Sequence, residues 1–162
     1  MCPGCGLTAP AFDGPTHPYM VSSPACWAAF GELVAADYSS PERMAWHQVV
    51  VDAYAAQHPG NGDDRRQVQS VGLHLMTLCL FLEHDTDPSL GSELHNRMIR
   101  RPAFHRLERS GPGALTVMHV PTTGPADTAR HAAYEWGADV WQTYTDAHTT
   151  VHAWLREAGF DV

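Results

Sequence analysis

The longest apolar run in the chain is VGLHLMTLCLFL at residues 71–82. It is hydrophobic nearly all the way round a helix, which predicts a central, fully packed helix over residues 65–84. Just before it, WHQVVVDAYAAQHP at residues 46–59 is patterned for a helix stopped by Pro59 and Gly60. At about 100° per residue, His47, Tyr54 and His58 fall within roughly 20° of one direction, with Val51 between them. Two histidines and a tyrosine on a core-facing stripe exceed what packing requires. Upstream, Ser23 is placed as an N-cap with Pro24 at the first helical position. The helix that follows, residues 24–38, puts Trp27, Phe30, Val34 and Tyr38 on its apolar face. Residues 39–42, SSPE, end this helix and start the next, so the two are expected to be antiparallel neighbours.

The C-terminal half is less regular. Residues 92–101 read as a short basic helix whose three arginines form a solvated face. Residues 114–121, ALTVMHVP, alternate as a strand would but have no partner strand, which predicts an extended segment laid across the bundle. A last long helix is expected from residue 125 to about 157. Its seam is Ala133, Val140, Tyr144, Ala147 and Val151, with Trp136, Trp141 and Trp154 adding bulk. The predicted fold is all-α: one domain over residues 1–162, a bundle of about four main helices behind an N-terminal zinc-knuckle-like loop. Its parts are a knuckle and loop (1–23), a three-helix core (24–84), a short helix with an irregular or extended segment (85–124), and the long helix (125–157).

Charge narrows the function classes. There are 18 acidic residues against 10 arginines and no lysine, a net charge of −8. Such a surface argues against nucleic acid or an anionic membrane as partner, and leaves a small-molecule ligand as the expectation. No basic and apolar leader opens the sequence and no apolar run is long enough to span a bilayer, so a cytoplasmic location is expected. Thiols stay reduced there, and four cysteines then favour metal binding or free thiols over disulfides.

The cysteines have ligand spacing. Cys2-Pro3-Gly4-Cys5-Gly6 has the form of a zinc knuckle, in which glycines let the backbone turn and its amides reach the sulfurs. A redox pair is the competing meaning of C-x-x-C, but that motif normally follows a strand. Cys26 falls in the first turn of its helix, where the dipole favours a thiolate. Counting outward from Pro41, Cys26 lies 15 positions back and His58 lies 17 forward, so an antiparallel pair sets them at one height. Cys2, Cys5, Cys26 and His58 are therefore the expected zinc ligands, with His17 competing for the fourth place. The same counting from Asn61 sets His47 and His74 side by side on adjacent helices. His74 interrupts an apolar run and needs a hydrogen-bond partner or a metal. Cys79, in that run, reads as a small core residue. His148 and His152 are one turn apart and could share an ion, but they flank the seam and read as a solvated pair.

Taken together, CPGCG at Cys2 and Cys5, the Cys26-Trp27 pair, the block His47, Asp52, Tyr54, Gln57, His58 and Pro59, and the His74-Leu75 pair resemble a family of small bacterial proteins catalogued as a domain of unknown function. The resemblance covers most of the chain and implies positions without an activity. Two functions compete. In the first, His47, Asp52 and His74 form a polar pocket for acid–base chemistry, or bind a second metal with an open position, as in DinB-like helical bundles by analogy of fold. Asp52 is the difficulty, because it lies about 140° around the helix from His47. In the second, the chain is a non-catalytic, zinc-stabilised helical module that binds a protein partner or a small ligand.

Overall fold

A computed structural model describes residues 1–100 and 102–162. Among these residues the protein is all-helical, with seven helices and no strand: α1 (Pro24–Tyr38), α2 (Pro41–Met44), α3 (His47–Gln57), α4 (Arg65–Glu83), α5 (Gly91–Met98), α6 (Ala126–Gln142) and α7 (His148–Glu157). Four of them, α1, α3, α4 and α6, are long enough to form the main bundle. No helix among the described residues is long and apolar enough to cross a membrane.

The centre is the α3–α4 hairpin, against which α6 packs, with α5 and α7 laid on α4. Its apolar run behaves as the pattern predicts: Leu75, Met76, Leu78 and Cys79 are fully buried. On α3, Val49, Val50, Asp52, Ala53, Tyr54, Ala56 and Gln57 are buried as well, so this helix is enclosed on nearly every side. A helix so enclosed must satisfy its polar groups internally. Gln57 does so completely: Nε2 donates to the Pro112 and Leu115 carbonyls at 2.7 Å each, and Oε1 accepts the Trp136 indole N–H at 3.1 Å. The Tyr144 hydroxyl donates to the Ala56 carbonyl at 2.8 Å. These bonds close the C-terminal end of α3, where α1 begins.

Several expectations are corrected. The helix expected from residue 125 to 157 is two helices. Buried Tyr144 sits in the break, and Thr143 and Thr145 turn their hydroxyls onto the Val140 and Gln142 carbonyls at 2.7 and 2.6 Å, competing with helix propagation. Residues 114–121, expected as an extended segment, are irregular and turn part-way. The Ala114 and Leu115 amides are taken by Asp139 Oδ2 at 2.8 and 2.9 Å, and Val117–His119 forms the 3₁₀ turn. Pro41 opens only the four-residue α2, and the chain restarts as α3 at His47. The buried stripe of α1 is Cys26, Phe30, Leu33 and Asp37, whereas Tyr38 is exposed. The expected basic helix of residues 92–101 runs instead from Gly91 to Met98. Arg101, counted in that helix, lies outside the described residues.

Candidate metal centre

The N-terminal loop is shaped before any side chain is considered. Cys2 N–H donates to Leu7 O at 2.8 Å and Gly6 N–H to Cys2 O at 2.9 Å, closing a tight loop that needs φ = +76° at Gly6. At α1, Ser23 caps the helix by accepting the Cys26 amide on its hydroxyl at 3.2 Å. Ser23's own amide donates to Cys2 Sγ at 3.5 Å. Two knuckle amides thus go to carbonyls, and an amide from the cap of α1 reaches a sulfur.

Cys2, Cys5, Cys26 and His58 are all buried, and one ligand atom from each lies within 4.8 Å of the other three. Cys5 Sγ is 3.7 Å from Cys26 Sγ, and Cys26 Sγ is 3.4 Å from His58 Nε2. A tetrahedron with Zn–S of about 2.3 Å and Zn–N of about 2.0–2.1 Å has S–S edges near 3.8 Å and S–N edges near 3.6 Å. The Cys5–Cys26 and Cys26–His58 separations fit those edges. His58 Nδ1–H donates to the Tyr54 carbonyl at 2.7 Å, which leaves the Nε2 lone pair facing the sulfurs. His17 stands apart, accepting the Tyr19 amide on Nδ1 at 3.2 Å and packing beside Trp27. Of the two competitors for the fourth place, His58 is the one the fold brings to the thiols.

Tyr54 supports this set. Its ring is stacked between Phe30 and His58, each at 4.0 Å between centroids, and its hydroxyl donates to Cys26 Sγ at 3.6 Å. Burial raises the phenol's pKa, so it remains a donor. Within the cluster, hydrogen bonds from Cys26 and Cys5 hold Cys2 far below an ordinary thiol, while Cys26, bonded to Cys2 and Cys5, is pushed far above one. Burial by itself would lower His58, but its bonds to Cys2 and Cys5 outweigh that and push it up to about 9. Thiolate and neutral imidazole are the forms that bind a metal ion, so acid weakens binding.

Two further contacts lock the loop over the end of α3. Arg109 donates to the Gln57 carbonyl at 2.9 Å and to the Gly4 carbonyl at 2.7 Å. Gly4 is itself buried, and a Cβ there would collide with the His58 ring and the Val21 carbonyl. Gly4→Ala is expected to cost about 1–3 kcal/mol by overpacking and to hasten metal release to a chelator. Unchanged release kinetics in that variant would show that the close approach of Gly4 does not matter to the site.

The other expected site residues do not form the predicted pair. His47 Nδ1–H donates to Asp37 Oδ2 at 3.0 Å, and Asp37 Oδ1 accepts from Arg43 Nε at 3.0 Å. His74 Nδ1–H donates to Asp52 Oδ1 at 2.6 Å. The two histidines thus serve separate carboxylates. Equal counts from a turn fix height, not azimuth, and the 140° between His47 and Asp52 on α3 sends them to different neighbours. Asp52 also accepts from Gln48 Nε2 at 2.7 Å, and His95 Nε2 is 3.6 Å away. Burial would raise the Asp52 pKa, but the hydrogen bonds from His74 and His95 outweigh it and hold the carboxyl low. His95 went unnoticed in the sequence, although Gly91, Leu94, His95 and Met98 repeat at helical spacing and mark the inner face of α5. His148 stacks on Trp141 at 3.7 Å, and His152 donates to Glu83 Oε2 at 2.9 Å, so these two do not pair either. Cys79 is buried beside Glu83, and burial pushes its thiol up to about 12.

The sequence profile of a family of unknown function, DUF5946, matches residues 1–145 of the 162. The chain belongs to that family. No curated protein and no solved structure matches it. As a DUF5946 member the chain inherits no stated activity, and its function has to be argued from the cluster itself.

Proposed function

We propose that this protein is a zinc protein in which Cys2, Cys5, Cys26 and His58 hold one structural ion that fastens residues 1–23 to the helical core. The observation that supports this is the closed donor set: four buried ligands within 4.8 Å of one another. Three thiolates and an imidazole favour zinc over harder ions, and a filled tetrahedron leaves no position for substrate. When bound, the ion supplies cross-linking, not chemistry. The protein's own groups do the rest: Tyr54 orients His58, the Ser23 amide and the Tyr54 hydroxyl donate to the sulfurs, and Arg109 closes the loop over them. Three thiolates and a dication carry a net negative charge, which these donors offset. The bacterial cytoplasm is the compartment we assign, since its reducing conditions keep such ligands available.

The second reading, a metalloenzyme acting on a small molecule, is favoured by the Asp52–His74 pair. A buried carboxylate holding a partly open imidazole is suited to general base chemistry. Two surface cavities, of about 790 and 770 Å³, are lined by other residues, among them Trp46, Tyr134 and Phe104. The zinc proposal is tested by metal analysis of purified variants. His58→Ala is expected to lose zinc to a chelator that the parent protein resists, and His17→Ala to retain it. Loss from His17→Ala with retention in His58→Ala would reverse the ligand assignment, and a metal-free parent protein would end the proposal.

A further inference from the structure

Asp52 lies at the junction of α3, α4 and α5, and its hydrogen bonding is lopsided. Oδ1 accepts from Gln48 at 2.7 Å and His74 at 2.6 Å and faces His95 Nε2 at 3.6 Å, while Oδ2, equally buried, has no partner among the described residues. A fully buried carboxylate oxygen without a partner is costly, and a structure that crowds donors onto one oxygen while leaving the other bare is not arranged for hydrogen bonding alone. The two imidazoles meet edge to face with centroids 5.0 Å apart. One ligand atom from each of Asp52, His74 and His95 lies within 4.8 Å of the other two. His74 and His95 are 14 and 23 % exposed, so the cluster opens to solvent on the imidazole side.

We propose that Asp52, His74 and His95 form a second metal site, which takes a first-row divalent ion and leaves positions open to water or substrate. Two imidazoles and one carboxylate are an open donor set for such ions, in contrast to the closed thiolate set at the N-terminus. The imidazoles bind through the nitrogens that now donate, His74 Nδ1 and His95 Nε2, their protons moving to the opposite ring nitrogens. The surroundings hold the ligands in place. Gln48 braces Asp52, and Thr77 Oγ1, 3.3 Å from His95 Nε2, gives up that contact to the ion. Gly91, at the start of α5, leaves room for the Gln48 side chain that any Cβ there would strike. Another cluster, Cys79, Glu83, His84 and His152, is a weaker candidate because both Glu83 oxygens are engaged, by Trp141 at 2.8 Å and by His152 at 2.9 Å.

The site is independent of the thiolate centre, and cobalt(II) separates the two. Protein already carrying one zinc is titrated with Co²⁺ and followed by absorption and by metal analysis. A second equivalent is expected to bind with ligand-field bands and no thiolate-to-cobalt charge-transfer band. His74→Ala and His95→Ala are each expected to weaken it by more than about tenfold, with helicity by circular dichroism unchanged, whereas His152→Ala leaves it intact. Binding of no second equivalent overturns the site. So does a second equivalent that survives the His74→Ala, His95→Ala double substitution or is lost in His152→Ala. A charge-transfer band that appears with the added cobalt would place that ion on the cysteines and also overturn it.

Discussion

Cys26→Ser is expected to bring the protein down without zinc and to free its N-terminal segment from the core. Within residues 1–23 the buried residues are Cys2, Gly4 and Cys5, two of them proposed ligands. Fixing a residue's backbone costs about 1–2 kcal/mol, and this segment has no regular helix and little apolar burial to offset that. An ion bound by this cluster would supply ordering free energy that the segment itself lacks, because site formation is coupled to folding. Residues 24–162 keep a large core of their own, so the variant is expected to remain helical. Its Tm should fall, by about 2–4 °C for each kcal/mol lost in a chain of this length. Limited proteolysis should cut early between residues 7 and 20. A Cys26→Ser protein that keeps a full equivalent of zinc, or is as protease-resistant as its parent, would count against the centre.

The cluster of Cys2, Cys5, Cys26 and His58 was legible in the sequence because its members come from three local signals. The C-x-x-C loop, a cysteine in a capped first turn and a histidine at a helix end each show their position without tertiary information. Equal counting about Pro41 brought Cys26 and His58 together even though α2 interrupts the connection, since a short extra turn changes height little. What the sequence left open between His17 and His58 is decided by ring orientation, through the His58 bond to the Tyr54 carbonyl. The all-helical class and the central α4 were legible from periodicity for the same local reasons.

The failures have a common cause in groups satisfied at long range. The break between α6 and α7 depends on Tyr144 reaching Ala56, 88 positions away, and threonines there carry only a weak local signal. Residues 114–121 alternate like a strand, yet the Ala114 and Leu115 amides go to Asp139 on α6 and the Leu115 carbonyl to Gln57 on α3. For the histidines, counting from a turn set heights without directions. It paired His47 with His74, when each had its own buried carboxylate, and it passed over His95 because α5 is reached through a separate turn. Asp52 at 140° from His47 was the one sign in the sequence that the pair would not form.

Asp37→Ala is expected to be the most damaging substitution outside the two proposed metal sites. Asp37 is fully buried on the inner stripe of α1 and bonds Arg43 Nε and His47 Nδ1, both at 3.0 Å. Arg43 is itself buried, its NH1 and NH2 groups have no other partner among the described residues, and its guanidinium lies over the Trp46 ring at 5.0 Å. Removing the carboxylate leaves that cation without its counter-charge in a place water does not reach, and breaking a buried pair in this way costs about 3–5 kcal/mol. Unfolding in urea should show the loss as a lower midpoint with an unchanged slope. Replacing both partners, as Asp37→Leu with Arg43→Met, removes the charges together and is expected to recover most of that loss. If the single substitution costs less than about 1 kcal/mol, as an exposed pair would, or if the double is worse than the single, the pair does not act as a buried unit. His47 would then need another explanation for its place at the start of α3.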